Sequence, residues 1–110
     1  MEHDIRAYLK GIELPINEIY EFLPLERNFF DFQNDLKTRK AIERNIEIIG
    51  EAMDRILKIN PDFKITDSRK IVDTRNRIIH GYDNVSDDVI WLIVIKYLPI
   101  LEGEVKELLK

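Results

Sequence analysis

The sequence predicts an all-α fold, a bundle of four to five helices around one core. Three observations predict it: apolar residues recur at i, i+3 and i+4 through most of the chain, no segment alternates with period two, and the four glycines and four prolines are dispersed. At 110 residues, 45% hydrophobic and 35% charged, the chain fits a single domain over 1–110, with no linker-like stretch and no repeat at a solenoid period. Isoleucine is the commonest residue, with eighteen copies, and its β-branching weakens helix propensity. Periodicity outweighs that deficit.

The first helix is expected over about 4–23, where Ile5, Tyr8, Leu9, Ile12, Ile16, Ile19, Tyr20 and Leu23 form one apolar stripe, and Pro15 should kink or split it. After a turn at Pro24, Phe29, Phe30, Phe32 and Leu36 suit a short amphipathic helix. A long helix follows over about 38–59, with Ala41, Ile42, Ile46, Ile49, Ala52, Met53, Ile56 and Leu57 inward, and it stops at Asn60-Pro61. The next should start at Asp67 or Ser68, both good N-caps, and run to about His80, where Gly81 suits a helix end. The last is capped by Ser86, carries Asp87 and Asp88 at its positive dipole end, and should kink at Pro99. Its stripe Ile90, Val94, Tyr97 and Leu101 can fill the core. A second stripe, Trp91, Ile95 and Leu98, is more than one small domain covers, so a second chain is expected on it.

Charge and composition exclude several classes. With 21 acidic and 17 basic side chains the net charge is -4, so the molecule is no generic polyanion binder and any phosphate must meet a local patch. The absence of cysteine excludes disulfides, zinc-thiolate sites and thiol catalysis, and favours a reducing, cytoplasmic setting. Met1 to Lys10 offers no apolar run of the kind a secretory signal needs. The most apolar stretch, thirteen residues from Val89 to Leu101 interrupted by Lys96 and Pro99, falls short of the roughly 20 a spanning helix requires. No membrane association is expected.

The local patch is Arg69, Lys70, Arg75 and Arg77, opposed only by Asp73 within the twelve positions ending at His80, a local charge of 4 - 1 = +3. Arg75 falls inside the apolar stripe of Ile71, Val72, Ile78 and Ile79, so it needs a partner. In a purely structural reading it pairs with a carboxylate such as Glu51 or snorkels to the surface; in a functional one it meets a ligand phosphate. His3 stands alone near a terminus, and no metal site is expected there. No glycine-rich phosphate loop, nucleophile elbow or pair of catalytic acids is present.

The run Arg75-Asn76-Arg77-Ile78-Ile79-His80-Gly81-Tyr82 resembles the Arg-x4-His-x-Tyr signature of HEPN domains, specifically the HepT type encoded beside a minimal nucleotidyltransferase. Ile49-Gly50-Glu51-Ala52, Trp91 and Leu98-Pro99 are similar to features of the same family, so the resemblance covers about 29–110. Pro15 and Asp83-Asn84 depart from it. The resemblance implies a HEPN-like antiparallel bundle that forms a homodimer, with both motif copies lining a shared cleft. It further implies a metal-independent endoribonuclease toxin of a type VII toxin-antitoxin pair, with RNA as substrate and no cofactor. Arg75 and His80 would be catalytic, Asn76, Arg77, Arg69 and Lys70 supporting or RNA-binding, and Tyr82 the residue to which the nucleotidyltransferase antitoxin transfers AMP. The rival reading is a catalytically silent HEPN protein that is the partner and substrate of that nucleotidyltransferase.

The residue types suit the chemistry. Without a metal, RNA cleavage needs a base for the 2′-hydroxyl proton and a cation for the charge building on phosphate oxygens. A histidine, with a reference pKa near ~6.5, supplies the first, and an arginine's paired N–H donors the second. Residues five apart on a helix lie about 140° apart. Convergence of Arg75 and His80 therefore asks for the arginine's reach, for fraying at Gly81, or for a second protomer.

Overall fold

A computed structural model describes residues 3–80 and 86–110. Among them there are six α-helices and no strand: α1 (His3–Phe22), α2 (Phe29–Gln33), α3 (Leu36–Ile59), α4 (Ser68–Ile79), α5 (Asp87–Leu92) and α6 (Leu98–Leu108), with one π-helical segment, Ile93–Tyr97, joining the last two. The all-α expectation holds.

Helix α3 is central, with both α1 and α4 packed against it, while α6 lies against α1. Its register on α1 is set by a buried amide: Asn45 Nδ2 donates to the Pro15 carbonyl at 3.2 Å and to Glu18 Oε1 at 3.1 Å. That pairing satisfies the polar group which burial would otherwise penalise. Ile12, Ile16 and Ile19 of α1, Ile42, Ile46, Ile49, Met53 and Ile56 of α3, Ile71 of α4 and Leu98 and Leu101 of α6 are almost fully buried in one core. Each such side chain contributes roughly 1.5–3 kcal/mol relative to exposure, which is why the isoleucine-rich pattern forms helices despite its propensity.

Pro15 does not split α1, which runs unbroken from His3 to Phe22 with the proline buried inside it. The ring of a helical proline crowds the carbonyl of residue i-4. Here that residue is Gly11, which has no side chain of its own. Pro99 is handled differently: just before it the helix widens, and Leu98 N–H donates to the Ile93 carbonyl, five residues back. A π segment is a recognised way of inserting such a break into a helix without ending it.

Capping follows the sequence in part. Asn28 accepts from Asp31 N–H and Asp35 from Thr38 N–H, each at 3.1 Å, so α3 starts two residues before the predicted position. Bonds from the Thr38 hydroxyl and backbone hold the Asp35 carboxyl below its ordinary pKa. By contrast, Asp67 precedes α4 in the left-handed region, at φ 57°, and Ser86 precedes α5, but neither side chain caps its helix. Their carbonyls accept the first helical bonds instead.

The second stripe of the last helix does not form the exposed face expected of it. Leu98 is fully buried, and Trp91 is covered by the chain's own α2, its ring 5.0 Å from that of Phe32 and 6.0 Å from that of Phe29. Ile95 alone of the three is exposed, beside Leu92 and Ile100. The phenylalanine-rich segment after Pro24 thus covers part of this stripe from within the chain. No described helix is long and apolar enough to cross a membrane.

Candidate active site

The site begins with a missing side chain. At Gly50 of α3 an added Cβ would overlap Arg75 Cβ, lie 2.8 Å from its Cγ, and approach the Ile71 carbonyl to 3.3 Å. Only glycine lets α4 sit this close, and the stem of Arg75 crosses α3 through the gap. Its guanidinium is held between the two helices: Nη2 donates to Glu51 Oε2 of α3 and Nη1 donates to Asn76 Oδ1 of α4 at 2.8 Å. The Arg75 side chain is 19% exposed, that of Glu51 41%. Glu51 Oε1 meanwhile accepts from Arg55 Nε at 3.1 Å, so one carboxylate bridges two guanidiniums. This bond and charge from Glu51 raise the Arg55 pKa further.

Arg75 opens on a cleft of about 610 Å³ between α1, α3 and α4. Arg44, Glu47, Glu51 and Arg55 line it from α3, Tyr8 and Gly11 from α1, and Arg75 and Ile79 from α4. His80, the C-cap of α4, is exposed at the helix end and is not part of that lining. Its N–H donates to the Asn76 carbonyl at 3.1 Å. Asn76 is therefore bonded to both candidate catalytic residues: its side chain accepts from Arg75 and its carbonyl accepts from the backbone N–H of His80.

The other predicted cations do not gather with Arg75. Arg77 and Lys70 line a second, smaller hollow between α4 and the α5–α6 segment, about 230 Å³, with Asp73, Thr74 and Tyr97. Lys70 Nζ donates to the Tyr97 hydroxyl at 3.2 Å and lies 3.8 Å from Asp67. The bond to Tyr97, then charge from Tyr97 and Asp67, raise its pKa. Arg69 is exposed at the start of α4. The cations that do share the cleft with Arg75 are Arg44 and Arg55, which the motif alone does not single out. Their signal is the spacing Arg44, Glu47, Ile48, Glu51, Arg55, one helical face in which charge and not apolar bulk recurs.

A family model described as "Ribonuclease HepT-like" matches residues 12–108. The chain belongs to the HepT-like ribonuclease family. Among curated relatives, the protein of Thermococcus cleftensis named "Probable ribonuclease HepT" is 34% identical over the whole of both chains. A "Putative RNase" of Methanocaldococcus jannaschii is 32% identical over 97% of this chain and 88% of its own length. A "Putative RNase" of Caldanaerobacter subterraneus subsp. tengcongensis is 36% identical over 76% of this chain and 75% of its own. No solved structure gives a significant match. Within this HepT-like chain, Tyr82, the expected AMP acceptor, lies outside the described residues. Among the described residues no three His, Asp or Glu side chains gather as metal ligands.

Proposed function

We propose that this HepT-like chain is a metal-independent endoribonuclease toxin of the cytoplasm, acting as a homodimer and silenced by AMP transfer to Tyr82 from a minimal nucleotidyltransferase antitoxin. The observation that carries the reading is the placement of Arg75. A guanidinium packs past Gly50 into a polar cleft and is oriented by Glu51 and Asn76, five residues before an exposed histidine, in a chain whose family is one of ribonucleases. Burying a charge to that degree only to make one ion pair brings little stability. A role in binding phosphate accounts for the arrangement better.

In the proposed reaction His80 takes the proton from the 2′-hydroxyl, O2′ bonds to phosphorus, and the P–O5′ bond breaks. Arg75 holds the charge that builds on the non-bridging oxygens. The products are a 2′,3′-cyclic phosphate and a 5′-hydroxyl, whose proton comes from solvent or from the second protomer's acid. AMP on Tyr82, two residues from His80, adds bulk and negative charge where the substrate phosphate must enter. The test is RNA cleavage in EDTA by the wild type, His80→Ala and Arg75→Ala, with end-group analysis of the products. Cleavage that requires an added divalent ion, or that survives His80→Ala, overturns the mechanism.

The catalytically silent alternative draws on the Glu51–Arg75 pair, which occupies the guanidinium that a phosphate needs. It predicts AMP transfer to Tyr82 by the cognate nucleotidyltransferase, with no cleavage of cellular RNA by the purified wild type.

A further inference from the structure

We infer that the cleft between α1, α3 and α4 is a track for single-stranded RNA, in which Arg44 and Arg55 take phosphates flanking the scissile one and Tyr8 stacks on a base. The inference deepens the ribonuclease reading and rests on it for the position of the scissile phosphate at Arg75. Three observations lead there. The cleft holds three arginines against two glutamates, a local excess of +1 on a chain of net charge -4. Arg44 and Arg55 are eleven residues apart on one face of α3, about 16 Å along the axis at 1.5 Å per residue. That length exceeds what one phosphate needs.

The cations are also available. The side chains of Arg44 and Arg55 are 67% and 56% exposed, and among the described residues each is paired with a carboxylate of its own helix, Glu47 at 3.6 Å and Glu51 at 3.1 Å. Exposed pairs of this kind are worth little. A phosphate can displace them without unfolding anything. Glu51 is the junction, because its single carboxylate is shared between Arg55 and Arg75 and leaves a charge of +1 on the trio for an entering strand to meet. Tyr8 supplies the aromatic face and Gly11, one turn on, leaves open space beside it. A cationic groove with an aromatic platform is how proteins hold single strands with little sequence preference.

The test uses the full-length protein and a fluorescein-labelled 2′-O-methyl oligoribonucleotide, which binds but lacks the nucleophile, read by anisotropy over a range of salt. Arg44→Ala and Arg55→Ala should each weaken binding and lower the slope of log K against log salt by about 0.7, the contribution of one single-strand phosphate contact. Tyr8→Ala should weaken it roughly tenfold at unchanged slope, and Tyr8→Phe should keep the affinity, because the ring and not the hydroxyl stacks. The same variants should raise KM for RNA cleavage. Unchanged affinity and slope in all three of Arg44→Ala, Arg55→Ala and Tyr8→Ala overturns the track. So does AMP competing at the oligonucleotide's own concentration range, which would make the cleft a mononucleotide site. A wild type that binds the strand with these variant effects but cleaves no RNA sinks the catalytic reading and leaves the track standing.

Discussion

Gly50 and Arg75 share one volume: the α-carbon hydrogen of the first faces the Cβ and Cγ of the second, with no room for a methyl group between α3 and α4. On its own, alanine would favour the helix by about 1 kcal/mol over glycine. Overpacking two rigid helix backbones costs about 1–3 kcal/mol and outweighs that gain. Gly50→Ala should therefore lower stability in urea unfolding and displace Arg75 from Glu51. A Gly50→Ala protein more stable than the wild type would show that α4 is free to shift.

Arg75→Ala and His80→Ala should separate chemistry from folding. His80 is exposed, so its loss should change stability by less than about 0.5 kcal/mol, yet cleavage should fall about 100-fold or more. Arg75→Lys keeps the charge and loses the planar fork, and should not restore activity. Circular dichroism checks the fold and a gel assay checks the cleavage; full activity in Arg75→Lys would mean that a point charge suffices.

The single tryptophan of the chain is a probe of how α2 docks. Trp91 stacks against Phe29 and Phe32, so Trp91→Ala should cost about 2–4 kcal/mol, and Trp91→Glu should expose the core rather than merely dissociate subunits. Thermal unfolding of both variants decides this. A Trp91→Glu monomer with wild-type Tm would place the residue in a subunit contact after all.

The proposed homodimer has a smaller apolar face than the sequence suggests, made of Leu92, Ile95 and Ile100, which are 48%, 44% and 43% exposed. Light scattering should give twice the 13.1 kDa chain mass at micromolar concentration. Ile95→Glu should shift it toward one chain by leaving a charge in the contact. A wild-type mass of one chain counts against the dimer and against any site shared between protomers.

Modification can be read directly. With its cognate nucleotidyltransferase and ATP, the wild type should gain AMP by intact mass while Tyr82→Phe, which lacks only the acceptor oxygen, should not. AMP retained on Tyr82→Phe would put the acceptor elsewhere.

Much of this protein was legible in one dimension. Helical period decided where Ile12, Ile46, Ile56 and Leu101 point, because burial of an apolar stripe depends on spacing within a single element. The Arg75-to-His80 motif and the anomaly of an arginine inside an apolar stripe were equally local. Tertiary packing decided what lies between elements. That Trp91 packs against α2 depends on where the turn at Pro24 sends Phe29 and Phe32, which no spacing rule encodes. That Arg75 meets Arg55 and Arg44, while Arg77 and Lys70 face another hollow, depends on the side of α4 that α3 occupies. Gly50 sets that contact, and its effect appears only when the two helices touch. Periodicity reports which residues leave water; only the packed structure reports which of them meet.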